Sequence, residues 1–489
     1  MPGGRLSRWL RLGWLWRGGY RGELLVLCLV AVAALAVVSA HTPQDVTRIA
    51  LTRAIVEDGS VRMDPYAAQA FDLARRGGHF YTDKAPGWSV AAIPAFAVLH
   101  ALGAAPAADP ASWNGEGDLR VWALRVLVSG LCFLLAVIAV GRVAERIAPG
   151  TAAAVATLFG LGTLAQPLAA SGFGHMTAGA AAFIGFALEW RATAAGRPLR
   201  PWLLVGAGLA AGAAVLLEYQ AALLALIVVA YAARRGLRAL GLVVAGALPA
   251  ALLLGAYDAV AFGSPFRLSY RYVANSYAEA QRGGFFGIGT PSAHTLWHVL
   301  AGDRGLLVVS PVLVAAAAGL VLLWRQGWRA EALACGAAAA GFLLVNAGYF
   351  LPYGGNSPGP RFFAPALPFL AVGLAPVLRS RRLRLPALLL GLVSIVGSTV
   401  VSLTWTMTAE TGYSGTVWGQ IAHSVVHLGN GFGDTPIVAD MSKTVWSWVT
   451  GDRIVAGGIG LVAGLVALGV ATALLRRPQA SPRPEAARV

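Results

Sequence analysis

Long apolar runs alternate with short polar stretches along almost the whole chain. Runs approaching the roughly 20 residues that cross a bilayer predict spans at about 24–40, 121–141, 151–169, 178–190, 202–217, 220–233, 239–257, 305–324, 331–350, 363–378, 386–405 and 454–475. The pattern therefore predicts an all-α, polytopic integral membrane protein with about twelve transmembrane helices. One further apolar run, Trp88 to Leu102, is shorter and contains Pro94 and His100. If it crossed, the clusters Arg142/Arg146, Arg191/Arg197/Arg200, Arg234/Arg235/Arg238, Arg325/Arg329 and Arg379/Arg381/Arg382/Arg384 would all lie outside. That would violate the positive-inside rule in every short loop at once. The run is predicted to lie along the outer interface, which puts every cluster and both termini inside.

The outer loops are then unequal. The first covers 41–120, the second 258–304 and the last 406–453, whereas the inner loops are short and basic. A natural division is a membrane module over 1–257 that includes the loop 41–120, a second membrane module over 258–475, and a disordered cytoplasmic tail over 476–489. Val38-Ser39-Ala40 resembles a signal-peptidase site. The first span is nevertheless read as an uncleaved anchor, because a functional loop starts directly after it.

That loop is the polar exception in the chain. From His41 to Gly87 it carries a dense mixture of Asp, Glu, Arg, Lys, His and Tyr. Asp45 and Arg48 stand at helical spacing on a loosely amphipathic segment (Val46 to Glu57) that ends in an Asp58-Gly59-Ser60 turn. The loop closes on Tyr81-Thr82-Asp83-Lys84-Ala85-Pro86-Gly87, a charged pair fixed by Pro and Gly before the next apolar run.

Composition changes the picture only a little. The net charge of +16 could suggest a polyanionic partner. The basic residues, however, are almost all Arg and sit at the ends of apolar runs, as membrane topology requires; no nucleic acid is implied. Cys28, Cys132 and Cys335 all fall in apolar runs, so no disulfide or metal framework is expected. The chain has no P-loop and no dinucleotide fingerprint, which argues against nucleotides as direct substrates.

Several polar residues stand at the outer ends of predicted spans, where ionisable groups are functional candidates by default. They are His175 in Gly172-Phe173-Gly174-His175, the pair Glu218-Tyr219, and Arg361 at the end of a Gly- and Pro-rich turn from Tyr353. Arg267, Arg271 and Tyr272 belong to the second long loop. By position all share a depth with Asp45 and Lys84.

The series Asp45-Val46-Thr47-Arg48, Leu51, Ile55, the Asp58-Gly59 turn and Phe80-Tyr81-Thr82-Asp83-Lys84-Ala85-Pro86 resembles the first periplasmic loop of GT-C glycosyltransferases. It is most similar to the branch that uses polyprenyl-phosphate sugars and contains the bacterial aminoarabinose transferase of lipid A and the protein O-mannosyltransferases. That branch opens on Asp-Glu-x-Arg-Tyr and later carries Tyr-x-x-Lys-Pro-Pro before a helix lying on the membrane. Here Val46, Ile49 and Ala85 depart from the pattern, and His175 stands where the branch often has an acid.

The resemblance implies a GT-C type fold with amphipathic helices in the first periplasmic loop. It also implies an inverting transfer from a lipid-phosphate sugar to a hydroxyl of a glycan, lipid or protein, at the outer face of a bacterial inner membrane. Such a hydroxyl needs a carboxylate to take its proton, an effect of roughly 10² to 10⁴-fold, and Asp45 is the implied general base. Cations stabilise the departing phosphate in a low-dielectric site; Lys84 is the implied anchor, with Arg361 and Arg271 in support. Arg48 would orient Asp45 and keep it ionised, and Tyr81, Asp83, His175, Glu218, Tyr219 and Tyr272 would complete the site. No cofactor is firmly implied. A divalent cation stays open, since Asp45 with Asp83, Asp64 or Glu218 offers ligands but no compact motif. A polytopic transporter or lipid-linked sugar flippase is the alternative; it would favour inverted repeats and mid-membrane charges, and the sequence displays neither.

Overall fold

A computed structural model describes residues 20–113, 117–193, 199–355, 357–404, 415–426 and 442–475. The tail 476–489, Asn356 and half of the expected outer loop 406–453 lie outside the described residues. The fold is almost entirely helical. Its principal helices are α1 (Tyr20–Leu35), α2 (Pro43–Glu57), α3 (Gly87–Ala101), α4 (Leu119–Ile147), α5 (Ala152–Leu161), α6 (Gly174–Ala192) and α7 (Pro201–Leu217). They continue as α8 (Tyr219–Ala233), α9 (Leu237–Phe262), α10 (Val312–Arg325), α11 (Arg329–Gly348), α12 (Arg361–Ala371), α13 (Arg384–Leu403) and α14 (Arg453–Ala473).

The expected count of about twelve spans is larger than the helices support individually. Among the described residues five helices are long and apolar enough to cross a membrane: α4, α9, α11, α13 and α14. A sixth arises if Ala293–Val309 and α10, bent by 94°, form one broken span. Several other expected spans are short helices, α5, α7, α8 and α12 among them. Hydropathy marks apolar runs but does not fix where a helix breaks, and Gly162 and the Pro-rich stretch Pro360 to Pro376 end helices inside runs that look continuous. The chain is a multi-pass membrane protein.

Small residues set the packing. On α7, Gly208 and Gly212 meet the backbone of α9 at Val243 and Ala247, while Gly246 of α9 meets Val205. A Cβ at either Gly208 or Gly246 would strike main chain, so these glycines let the two backbones touch, the usual basis of helix association in lipid. The first and last long helices, α1 and α14, lie against each other. The short strands Val37–Val38 and Lys443–Thr444 pair antiparallel beside them.

Helix α2 begins with a capping box: Thr42 accepts from the Asp45 N–H, and the Asp45 carboxylate accepts from the Thr42 N–H, with Pro43 in the first turn. The loosely amphipathic reading of this helix is corrected by the structure, because every residue from Gln44 to Ala54 is buried. Its neighbour α3 packs along it and buries Trp88, Ser89, Ala92 and Phe96. Between them a two-stranded hairpin, Leu73–Arg76 with His79–Thr82, turns through Gly77 and Gly78 at φ of 58° and 85°. Two consecutive positive φ values demand glycine and define a tight primed turn. The turn fixes the register Leu73↔Thr82, so Asp72 and Asp83, one step beyond that pair, emerge side by side.

Candidate functional site

One end of the bundle gathers the start of α6, the end of α7, the start of α12 and the end of α11 around the hairpin. There a cavity of about 300 Å³ opens, lined by Gln44, Asp72, Asp83, Lys84, Phe173, His175, Glu218, Tyr270, Tyr349 and Arg361 among others. Lys84, Asp83, His175, Glu218 and Arg361, which the sequence nominated separately, therefore meet at one place.

Lys84 stands between the two hairpin acids, its Nζ 3.0 Å from Asp83 Oδ2 and 3.3 Å from Asp72 Oδ2. Burial alone would lower the Lys84 ammonium, but the two carboxylates outweigh it and hold it above the ordinary lysine range. Burial pushes the Asp83 carboxyl up to about 6, with Lys84 pulling against it and Asp72 adding to it. The Asp83 main chain is held by the Ser269 hydroxyl, which donates to its carbonyl at 2.7 Å. Asp83 Oδ1 is buried without a hydrogen-bond partner.

Arg361 lines the same cavity. Its guanidinium lies 4.1 Å from the Phe173 ring centroid and 5.4 Å from that of Phe362, and its Nε is buried and unpartnered. Gly354, at φ 80°, lets the turn pass against that side chain, where a Cβ would collide with it.

A second buried network joins α2, α6 and α7. Arg48 and Glu218 form an ion pair at 2.5 Å, and His175 Nδ1 lies 3.2 Å from the same Glu218 oxygen. Arg48 also donates to Gln44 Oε1 at 3.3 Å. Gly174 explains the dipeptide before His175: a Cβ there would meet Glu218 and Arg48. Gly172 likewise lies against the Asp45 carboxylate.

The structure corrects three expectations about the site. Asp45 does not line the cavity. Its two carboxylate oxygens take Arg125 Nε at 2.9 Å and Nη2 at 2.7 Å, and Thr42 completes the shell. Burial would raise this carboxyl, but Arg125 and the Thr42 bonds hold it below the ordinary range. Arg48 accordingly orients Glu218 and not Asp45. Arg271 is exposed and lines no part of the cavity; its neighbour Tyr270 does.

Among the supporting residues, Tyr81 and Tyr272 belong to a satellite apolar cluster around Leu51, Met63 and Phe262, with Tyr272 stacked on Phe262 at 5.1 Å. Tyr219 stands behind the wall, edge-on to Tyr270 at 5.1 Å, its hydroxyl 3.3 Å from Ser269 Oγ. Sequence reasoning missed Gln44, Asp72, Tyr270 and Arg125. Arg125 did carry a signal, as a lone cation inside the apolar run 121–141; for Asp72 the signal was the Gly77-Gly78 hairpin that pairs it with Asp83. Among the described residues no three His, Cys, Asp or Glu side chains gather as a metal-binding group.

No protein-family model matches the chain, and no curated protein matches it. Its fold does have solved counterparts. The chain is similar to ArnT from Cupriavidus metallidurans in the apo state, with a TM-score of 0.51 at 15% identity, over 94% of this chain and 77% of that one. The same enzyme bound to undecaprenyl phosphate gives 0.46 at 15% identity, over 92% and 77%. The archaeal oligosaccharyltransferase AglB from Archaeoglobus fulgidus, in complex with an inhibitory peptide and a dolichol-phosphate, gives 0.49 at 12% identity, over 96% of this chain and 61% of AglB. With the loop helices, hairpin and cavity at one end of a bundle that aligns with apo ArnT over most of its length, the chain shares the membrane fold of that protein.

Proposed function

We propose that the chain is a membrane glycosyltransferase that moves a sugar from a polyprenyl-phosphate donor to an acceptor hydroxyl at the outer face, with inversion. The observation that carries this reading is the meeting of Lys84 and Arg361 in one cavity. Two cations facing one space repel each other, and Arg361 works against the charge on Lys84 even though Asp72 and Asp83 hold that ammonium up. An anion bound between them removes that repulsion, and a phosphate fits both, as a point contact to Lys and a planar fork from Arg. The fold shared with apo ArnT supports the same class of reaction.

In the transfer, the acceptor oxygen bonds to the anomeric carbon as the bond from that carbon to the phosphate oxygen breaks. The departing electron pair goes to the phosphate, where Lys84 and Arg361 stabilise it in a site shielded from water. Holding donor and acceptor together in the cavity supplies much of the remaining rate through orientation. Phe173, Tyr270 and Tyr349 give the cavity aromatic faces beside its polar groups, as a sugar with apolar and hydroxylated sides requires. The partners are a lipid-linked sugar, the membrane, and a glycan, lipid or protein acceptor, in a bacterial inner membrane with the cavity outward. The general base must come within hydrogen-bond reach of the acceptor hydroxyl. Asp45, saturated by Arg125 and Thr42 behind the cavity wall, is replaced in that role by a group of the cavity itself.

The test is equilibrium binding of undecaprenyl phosphate to the purified protein. Lys84→Ala and Arg361→Ala should each weaken it, and Lys84→Arg should restore it only in part, because the guanidinium is larger and planar. Unchanged affinity in both alanine variants would overturn the reading.

A further inference from the structure

We infer that the general base is His175, aligned by Glu218, and that this chain performs its transfer with a Glu–His dyad in place of a lone carboxylate. The inference rests on the transferase reading above. It follows from which atoms are left over once the buried charges are paired.

Glu218 is 2% exposed and its Oε1 receives Arg48 at 2.5 Å. A buried carboxylate against a guanidinium is ionised, and an ionised carboxylate only accepts hydrogen bonds. His175 Nδ1, 3.2 Å from that oxygen, must then be the donor. A doubly protonated ring would place an extra cation in a buried space that already holds Arg48 and faces Arg361, which is unfavourable without a further anion. The ring is therefore neutral, with its proton on Nδ1 and a lone pair on Nε2. That Nε2 is buried and has no hydrogen-bond partner, while the residue lines the cavity. Stacking on Phe362 at 4.9 Å fixes the ring plane. Phe362 directly follows Arg361, so the same short stretch of chain holds the base and one phosphate cation.

The step balances simply. Nε2 takes the proton from the acceptor hydroxyl as that oxygen bonds to the anomeric carbon, and the phosphate leaves with the electron pair of the broken bond. The imidazolium then returns its proton to solvent. Glu218 is a positioning residue: it fixes the tautomer and ring orientation, as carboxylates do for catalytic histidines. Asp83 and Asp72 are both paired to the Lys84 ammonium, at 3.0 and 3.3 Å, so their charge is already engaged there.

The experiment has two arms. In full-length protein labelled with ¹⁵N-histidine, His175 is assigned by difference from His175→Gln among the chain's 8 histidines. The ring should show a protonated Nδ1 and a bare Nε2 at neutral pH, and Glu218→Gln should lose that single-tautomer signature. In the second arm, release of undecaprenyl phosphate is followed from a panel of undecaprenyl-phosphate hexoses and pentoses. His175→Gln should bind undecaprenyl phosphate within about threefold of the parent, while release falls by about 10² or more. Turnover by the parent should rise with pH as the imidazole loses its proton and then level off. A proton on Nε2 at neutral pH, or normal turnover in His175→Gln, would overturn the dyad and leave the transferase reading standing. No turnover by the parent on any donor would instead overturn the transferase reading, and the base assignment with it.

Discussion

Arg125 grips Asp45 with two nitrogens, Nε at 2.9 Å and Nη2 at 2.7 Å, and both side chains are buried. The contact ties the start of α2 to α4, and the same guanidinium donates to the Ser39 carbonyl at 3.0 Å and the Ala40 carbonyl at 3.1 Å. Asp45 is thereby the clamp that fixes where the polar loop leaves the first helix. Its neighbour Gln44 faces the cavity instead.

Removing either partner should therefore act first on stability. Arg125→Ala leaves a buried carboxylate uncompensated, and Asp45→Asn leaves a buried guanidinium uncompensated with an amide NH2 facing one of its donors; each should cost about 3–5 kcal/mol. The sign with pH follows from the depressed Asp45 carboxyl. Its contribution is present above the ordinary carboxylate range and disappears as pH falls through the lowered folded value. Thermal melts of parent and Asp45→Asn should converge in strong acid. A fully stable Asp45→Asn protein that binds donor but cannot transfer would return the base to Asp45.

Asp83 should behave in the opposite sense. Its folded carboxyl is pushed up to about 6, so the folded state holds a proton that the unfolded chain releases. The stability from that proton is complete below the ordinary Asp range and is lost as pH rises through about 6. Asp83→Asn should accordingly gain on the parent between about pH 4 and pH 7, by on the order of 2–3 kcal/mol, and gain nothing more above it. Melting curves across that range decide the matter; a difference that does not change with pH would contradict the assigned environment.

Helix α3 should lie on the outer leaflet. Its 15 residues reach about 22 Å at 1.5 Å per residue, short of the roughly 30 Å hydrocarbon core. Ala108, just beyond it, is exposed. A cysteine placed at Ala108 should react with an impermeant maleimide in intact cells. Reaction only after permeabilisation would invert the arrangement and with it the outward cavity.

Much of the site was legible because ionisable groups at the ends of apolar runs rarely lie there without a partner. Lys84, His175, Glu218 and Arg361 were each visible on that ground, and they line one cavity. What the sequence could not show was direction. Asp45 and Gln44 are adjacent, and which of them faces the cavity depends on Arg125, eighty residues away. Arg271 and Tyr270 are adjacent in one short 3-10 turn, and packing against Tyr219 and Phe286 selected the aromatic. The expected span number is not matched by helices of full length for a related reason: an apolar run of membrane length can hold two short helices, as around Gly162. The hairpin that pairs Asp72 with Asp83 was written locally in Gly77-Gly78.

We propose that Lys84 and Arg361 together hold the phosphate of a lipid-linked sugar. The direct measurement is the affinity of undecaprenyl phosphate for the parent, Lys84→Ala, Arg361→Ala and the double variant, at two salt concentrations. A phosphate bridging both cations predicts that each single change weakens binding by at least tenfold. It also predicts that the double variant loses less than the sum of the two, because the cations share one ligand, and that Arg271→Ala binds like the parent. Equal affinity across all four proteins, or a loss confined to Arg271→Ala, would contradict the account.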